Sequence, residues 1–131
     1  MHGYVANIEQ LTEDNSLFRK VLYTSPHLQL VVMSIPVGGD IGEEVHTLDQ
    51  FLRVESGEGK AILDGAEHPL RDGDVIIVPQ GTVHSIFNTS QDAPLQLYTL
   101  YGPPNHKDGT IHNTKADAEA HEEHFDGATT E

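Results

Sequence analysis

Short apolar or alternating segments recur along most of the chain, and residues that favour turns separate them. Their β-branched and aromatic content is typical of strands, and Gly, Asp, Asn or Pro at the boundaries keeps each one short. The segments are LFRKVLYT, LQLVVMSIP, QFLRVE, GKAILD, DVIIVP, VHSIFNT and PLQLYTLY. Many short strands with regularly spaced turns predict an all-β sandwich or barrel.

Two Asp-Gly pairs mark turns between these segments. Asp64-Gly65 lies within ILDGAEHPL, and it suits a two-residue hairpin because both positions of a type I′ turn need positive φ. The second pair lies within LRDGDVIIVP, just ahead of a predicted buried strand. These pairs predict where neighbouring strands reverse direction.

The end of the chain has a helical pattern. Thr114 can cap a helix, with Asp117 three residues later in a capping-box-like arrangement. The segment KADAEAHEEHFD is then predicted to be helical, with Gly127 as its C-terminal cap. We therefore expect a barrel over residues 1–112, with its core at 27–102, and an acidic helix and tail over 113–131.

Composition excludes several functions. The chain has no cysteine, so disulfides, thiolate ligands and a cysteine nucleophile are excluded. Seven basic residues against 21 acidic ones give a net charge of −14, which repels phosphates, so we expect neither nucleic acid nor membrane partners. No segment resembles a signal peptide, and LQLVVMSI is too short to span a membrane. The expected location is cytoplasmic.

Polar residues around His46 indicate a site inside the barrel. Alternate residues of a strand face the same way. A strand through His46 therefore places Glu44 and Gln50 on the same face as His46. These oxygen and nitrogen donors need partners if they are buried. A metal ion is one such partner. A metal-free polar pocket and a plain core role for His46 are the alternatives.

Two stretches of the chain together resemble the paired motifs of the cupin superfamily. The stretch GDVIIVPQGTVHSIFN has a glycine, five residues, Pro-x-Gly, two residues, His84, three residues and Asn88, which matches the family's second motif at each defined position. The family's first motif is a glycine, five residues, His-x-His, three or four residues, Glu, six residues and a glycine. From Gly38 to Gly57 this chain keeps that spacing, with Glu-Val-His and then Gln50.

The resemblance implies a double-stranded β-helix, or jelly-roll barrel, with a metal ion held by three histidines and a glutamate. His46 and His84 match two of the histidines, whereas Glu44 stands at the first histidine and Gln50 at the glutamate. The ligand charge is unchanged, because the carboxylate has moved and a neutral amide has taken its place. We expect one divalent transition metal, Fe, Mn, Zn or Ni, at these four residues.

Other polar residues give weaker signals. Asp49 is an alternative carboxylate, either as a ligand or as an acceptor that orients one. His121 and His124 are either a weak metal site on the predicted helix or a coincidence of its surface. His106 and His112 flank an irregular segment that is either a solvated loop or a cover over the barrel mouth. In the second case either could act as a general acid or base.

Three functions are compatible with the resemblance. They are a metal-dependent isomerase of sugars or sugar phosphates, an iron- or manganese-dependent dioxygenase, and a non-catalytic protein that binds a small ligand. A polar cavity favours the isomerase and an apolar one the dioxygenase. Leu48, Leu52 and Val54 share the face of His46 and predict apolar walls around the donors, and no phosphate clamp is evident.

Residues of opposite parity to His46 predict a contact surface. Phe51 and Arg53 point out of the barrel if His46 points in. Small cupins commonly dimerise through strands, and exposed sheet edges give a physical reason. The resemblance therefore implies a homodimer. On the last strand Tyr98 and Tyr101 also have opposite parity, so at most one of them lines the cavity.

Overall fold

A computed structural model describes residues 1 to 131 and confirms the all-β fold. Nine strands follow a short N-terminal helix, and a second short helix follows them. The elements are α1 (Ile8–Asp14), β1 (Arg19–Thr24), β2 (Gln29–Ile35), β3 (Asp49–Ser56), β4 (Glu58–Leu63), β5 (Ala66–Arg71), β6 (Val75–Val78), β7 (His84–Asn88), β8 (Leu95–Gly102), β9 (Ile111–His112) and α2 (Lys115–Ala120).

The strands form two antiparallel sheets that enclose one core. The larger sheet has the order β6-β3-β8-β2-β1-β9, and the smaller has the order β5-β4-β7. Apolar side chains from both sheets pack into a single buried cluster, which includes Met33, Ile35, Leu52, Val54, Ile86 and Leu97. The two sheets therefore depend on each other for burial of their inner faces, as in a jelly roll.

Strand parity accounts for which side chains face the core. In β3, Leu52 is fully buried whereas Arg53 is exposed. In β8, Tyr101 is buried and Tyr98 is half-buried on the opposite face. Tyr101 is therefore the tyrosine of this strand that lies inside, which agrees with the expectation that at most one does.

The Asp64-Gly65 turn has the predicted geometry. Both residues have positive φ, 47° at Asp64 and 85° at Gly65, and they connect β4 to β5 as a two-residue hairpin loop. The carboxylate of Asp64 also accepts a hydrogen bond from Val83 N at 2.9 Å. The hairpin is thereby tied to the residue that precedes β7.

Helix α2 begins where the sequence predicts but ends earlier. The hydroxyl of Thr114 accepts a hydrogen bond from Asp117 N at 3.1 Å, so the predicted N-cap is present. The helix stops at Ala120, and the predicted continuation to Gly127 is wrong. The reason is tertiary, because the next segment pairs with another part of the chain: Phe125 N donates to the carbonyl of Asn105 at 3.1 Å.

Helix α1 is a short element without a strong sequence pattern. Asn7 caps it by accepting a hydrogen bond from Gln10 N at 3.0 Å. Thr12 is its one buried residue, so it shows little of the apolar periodicity that identifies a helix. No helix in the structure is long and apolar enough to cross a membrane.

The outer face of the larger sheet carries exposed apolar side chains. Val75 and Ile77 on β6 are 50% and 54% exposed, and Phe51 of β3 pairs with Ile77. Such a patch is compatible with an interface between copies of the chain. Homodimerisation stays a prediction, which light scattering of the purified protein tests.

Asn88, the last residue of the second sequence motif, connects three backbone segments. Its Nδ2 donates to the carbonyls of Ile35 and Ala93, each at 3.0 Å, and its Oδ1 accepts from Ser90 N at 2.8 Å. The side chain is buried. If it were removed, water could not easily reach these backbone groups to take over its hydrogen bonds.

We expect Asn88→Ala to lower the free energy of unfolding by roughly 2–4 kcal/mol, because buried backbone groups lose their partners. Urea unfolding measures the effect. Asn113→Ala, at an exposed position, is the control and should change stability by less than about 0.5 kcal/mol. Equal stability of the two variants would show that the Asn88 hydrogen bonds do not support the fold.

Candidate metal and ligand site

Glu44 and His46 lie in the connection between β2 and β3. Glu44 forms an isolated bridge with His84, the first residue of β7: Glu44 N donates to the carbonyl of His84 at 2.9 Å, and His84 N donates to that of Glu44 at 3.0 Å. The expectation that Glu44 and His46 share a strand with Gln50 is wrong, since β3 begins at Asp49. The connection pairs with the smaller sheet instead.

This pairing brings three of the predicted ligands together. Oε2 of Glu44 lies 3.0 Å from Nε2 of His46, and the rings of His46 and His84 have centroids 5.1 Å apart. Nδ1 of His84 lies 3.0 Å from the carbonyl oxygen of Thr82. A carbonyl only accepts, so Nδ1 carries the hydrogen and Nε2 of His84 keeps a free lone pair.

Two buried polar atoms of the predicted site have no hydrogen-bond partner. Gln50 donates through Nε2 to the hydroxyl of Thr99 at 3.0 Å, but its Oε1 is buried and unpaired. Nε2 of His46 is buried without a fully formed hydrogen bond, although Oε2 of Glu44 lies 3.0 Å from it. Such atoms are rare in folded proteins. The protein supplies no well-placed hydrogen-bond partner for either atom.

Glu44 is held in its charged form. Burial raises the pKa of Glu44, but the hydrogen-bonding and charge interactions with His46, and the charges of Arg19 and His84, outweigh burial and bring the pKa below its usual value. An ionised carboxylate in this half-buried place is a donor for a cation.

The four predicted residues are neighbours, but they do not form a compact cluster. No three His, Asp or Glu side chains in the structure converge closely enough to hold a metal ion. Gln50 connects to the others through Tyr101, which is its partner across β3 and β8 and which meets the His46 ring edge-on at 5.9 Å. The structure therefore shows a set of available donors rather than a closed coordination shell.

Asp49 has a different role from those that the sequence suggested. Its side chain is exposed, and its Oδ1 accepts a hydrogen bond from Gln80 N at 2.9 Å. It therefore holds the turn before β7, and it neither joins the donors nor orients one of them.

A cavity of about 540 Å³ opens beside Glu44 and His46. Most of its wall is polar or charged, and its apolar members are Phe18, Ile41, Val45 and Ala118. Leu48, Leu52 and Val54 are buried in the core and do not line this cavity. The expected apolar wall is therefore wrong, because these side chains pack between the sheets.

The irregular segment after β8 reaches the cavity. His106 and His112 are 7% and 5% exposed, and both line the wall, so the solvated-loop alternative is wrong. His124 of the tail also lines this wall, whereas His121 borders a second cavity. The two tail histidines do not form a pair on one helix, because α2 ends before them.

Arg19 is a cavity residue that the sequence reasoning missed. It begins β1, is 7% exposed and lines the wall. Arg19 and Lys20 are adjacent, and alternation alone did not tell which of them faces inward. The signal lies in the pairing of Arg19 with His112 on β9, a two-residue strand that has almost no sequence pattern of its own.

Two buried groups at the cavity are neutral near pH 7. Burial raises the pKa of Tyr101 well above its usual value. Burial, followed by the positive charge of Arg19, lowers the pKa of His106 to about 2. The Tyr101 hydroxyl lies 3.4 Å from Nε2 of His106. His106 lines the cavity and can orient a ligand, but it is a poor proton acceptor at neutral pH.

The depressed pKa of His106 predicts that the free energy of unfolding decreases as the pH is lowered. The folded chain keeps His106 neutral down to about pH 2, whereas the unfolded chain binds a proton below about pH 6.5. Lower pH therefore favours unfolding by up to about 1.4 kcal/mol per pH unit in this window. We expect His106→Gln to lose this slope in urea unfolding between about pH 6 and 4.

His68→Gln is the control, since His68 is exposed on β5, and it should keep the wild-type slope. A His106→Gln variant with an unchanged slope would mean that His106 takes up a proton in the folded protein.

The fold and the cavity define a small jelly-roll barrel protein with histidine and carboxylate donors beside an internal pocket. A sequence model of the Cupin domain matches residues 31–101, and the chain belongs to the cupin family. The crystal structure of BH2720 from Bacillus halodurans is 45% identical, with a TM-score of 0.88, and the match covers 92% of this chain and 98% of that one.

Two further relatives match most of the chain. YrkC, an uncharacterised protein of Bacillus subtilis (strain 168), is 44% identical over 127 residues, covering 92% of this chain and 68% of that protein. L612, an uncharacterised protein of Acanthamoeba polyphaga mimivirus, is 41% identical over 112 residues, covering 82% of this chain and 70% of that protein. These matches support the family that the two motifs predicted.

Proposed function

We propose that this cupin binds one divalent transition metal ion at Glu44, His46, Gln50 and His84 and acts as a metal-dependent isomerase of a sugar or sugar phosphate. The supporting observation is the close approach of Oε2 of Glu44 to Nε2 of His46, 3.0 Å apart, together with the buried and unpaired Oε1 of Gln50. A cation accepts lone pairs from a carboxylate oxygen, an imidazole nitrogen and an amide oxygen, so it is a suitable partner for each of these donors.

The donors suit such an ion in chemistry and in spacing. Two ligand atoms that each lie about 2.1 Å from an ion, at right angles, are about 3 Å apart, and Oε2 of Glu44 and Nε2 of His46 are 3.0 Å apart. The hydrogen bond from His84 Nδ1 to Thr82 leaves Nε2 free to ligate. Two imidazoles, a carboxylate and an amide oxygen suit Fe, Mn, Zn or Ni.

The polar cavity wall supports isomerisation of a hydroxylated substrate. The ion supplies positive charge that stabilises negative charge developing on a substrate oxygen. His106, which is neutral, lines the cavity and can orient the substrate, and the Tyr101 hydroxyl lies behind it, 3.4 Å from its Nε2. Glu43 is exposed on the wall and is the proposed base: it takes the proton from the carbon next to the carbonyl and returns it to the former carbonyl carbon, while the proton of the adjacent hydroxyl moves to the former carbonyl oxygen.

The donor set also supports a second candidate. Two histidines and one carboxylate, here His46, His84 and Glu44, are the ligand types of non-haem iron oxygenases. A dioxygenase is therefore the alternative if the bound metal is iron. The mainly polar wall makes it the weaker candidate, since we expect an apolar lining for that activity. A protein that binds its small ligand without turnover is the third possibility.

The cellular setting of this activity is also a proposal. The cysteine-free composition supports a cytoplasmic location. The exposed apolar residues Val75 and Ile77 support a homodimer. The proposed partner of the site is a small molecule.

Metal analysis tests the ligand assignment. We expect about one equivalent of metal in the tag-free wild-type protein and loss of that metal in His46→Ala and in His84→Ala. Wild-type protein should also unfold at a higher temperature with metal than after chelation, because metal binds the folded state. His124→Ala, which removes a tail histidine on the cavity wall, is the matched control and should keep the metal.

Equal metal in the wild type and both ligand variants would contradict the site. So would an absence of metal after incubation with iron(II), manganese(II), zinc(II) and nickel(II).

Isotope exchange tests the reaction. In deuterium oxide an isomerase that removes a proton from the carbon next to a carbonyl exchanges it with solvent, so we expect deuterium at that carbon when aldoses are incubated with the metal-loaded protein. Glu43→Gln should lower this exchange at least about a hundredfold with its metal content unchanged. Substrate-dependent oxygen consumption without exchange would instead establish the dioxygenase.

A further inference from the structure

Arg19 is a buried cation that forms no ion pair, and its guanidinium lies over the Phe18 ring, 5.3 Å from the ring centroid. The residue is 7% exposed, and arginine is rarely buried unless it is paired. No carboxylate lies within 4.0 Å of its guanidinium, although the structure contains such pairs for both arginine and lysine elsewhere. The other cation on the cavity wall, Lys115, pairs with Asp40 and with Glu119.

The hydrogen bonds of Arg19 leave most of its donors unused. Nη1 lies 3.3 Å from Nδ1 of His112, and Nε is buried without any partner. Arginine has five N–H donors and no acceptor, so this one contact satisfies only part of the guanidinium. The protein provides no acceptor for Nε, and the guanidinium lines the cavity, where a ligand can supply one.

His112 cannot balance the charge of Arg19. Because arginine only donates, Nδ1 of His112 must accept and has no hydrogen. Its Nε2 lies 3.1 Å from the carbonyl oxygen of His121 and donates to it. His112 is therefore fixed as the neutral form protonated at Nε2. It orients the guanidinium from one side without neutralising it.

The charge on Arg19 becomes less balanced when the proposed metal site is filled. Arg19 and Glu44 line the same cavity, so the Glu44 carboxylate is one of the negative charges on the wall around the guanidinium. A divalent ion bound to Glu44 would take up that negative charge. An anionic group of the ligand can then pair with the guanidinium of Arg19, which has no carboxylate partner of its own.

We propose that Arg19 binds a carboxylate group of the substrate, so that the cavity takes a sugar acid rather than a neutral sugar. This inference rests on the proposed function and names its substrate class. The planar guanidinium matches a carboxylate in shape and hydrogen bonding. A dianionic phosphate fits less well, because the same wall carries Glu43, Glu44, Glu119, Glu122 and Glu123.

Calorimetric titration of the metal-loaded protein with three probes tests this assignment. The probes are D-glucuronate, D-glucose and D-glucose 6-phosphate, which differ in the group at one end of the sugar. We expect glucuronate to bind at least about tenfold more tightly than glucose, which corresponds to about 1.4 kcal/mol, and more tightly than the phosphate. Equal binding of glucuronate and glucose, or tightest binding of the phosphate, overturns the carboxylate assignment.

Variants assign the preference to Arg19. Arg19→Gln should bind glucose as the wild type does but lose the preference for glucuronate, whereas Arg19→Lys should keep part of it because it keeps the charge. Arg53→Gln, which removes an exposed arginine of β3, is the control and should keep the full preference. A preference that survives in Arg19→Gln overturns the assignment. If Arg19→Gln does not fold, Arg19→Lys decides, and a full wild-type preference in that variant overturns the assignment.

The metal content of each protein separates this inference from the proposed function. Wild-type protein that holds metal without preferring glucuronate contradicts the role of Arg19 alone. Wild-type protein that holds no metal but prefers glucuronate through Arg19 contradicts the metal centre and leaves the anion site in place. A ratio of two affinities is the measured quantity, and a purely structural role of Arg19 would not change it.

Discussion

The paired backbone hydrogen bonds between Glu44 and His84 determine where the candidate site forms. The chain leaves β2 in the larger sheet and crosses to the smaller one, where Asp40 bridges Phe87 and Ile41 N donates to the carbonyl of Ile86 at 3.0 Å. This connection therefore runs beside β7 like an irregular extra strand. Glu44 and His46 reach the pocket because of that pairing, and not because they continue β3.

Hydrogen bonds within the protein hold two of the donor side chains in place before any ligand binds. The carbonyl of Thr82 orients His84, and the hydroxyl of Thr99 orients Gln50. The smaller sheet thus supplies His84, and the larger sheet supplies Gln50 and Tyr101. Such contacts fix ring tautomers and side-chain directions in advance, which lowers the entropy cost of ordering these side chains when a ligand binds. The junction of the two sheets is therefore suited to hold a ligand.

The barrel and the second motif were predictable from sequence because their signals are local. The Asp64-Gly65 turn follows from the φ values that its two residues tolerate, and the alternation in β3 and β8 tells which side chains are buried. The same parity rule fails when it is extended back from Gln50 to His46 and Glu44, since β3 begins at Asp49. Those residues are outside the strand, and their position depends on hydrogen bonds to a segment far along the chain.

The cavity wall was much less predictable. Arg19, His106 and His112 meet there because the larger sheet adds β1 and then β9 at one edge, and no local pattern reports that order. The length of α2 failed for a similar reason, since pairing of Phe125 with Asn105 competes with the continuation of the helix. Tertiary hydrogen bonds overrode the local helix signal in this segment.

The net charge of −14 and the buried Arg19 act at different ranges. Surface charges are screened over about 8–10 Å in salt, so the acidic exterior repels polyanions at a distance and raises the local concentration of cations. Inside the cavity the effective dielectric constant is lower and a single charge acts more strongly. A ligand group that contacts Arg19 is therefore influenced more by that guanidinium than by the distant surface charge, and an acidic protein can still have a pocket for an anionic group.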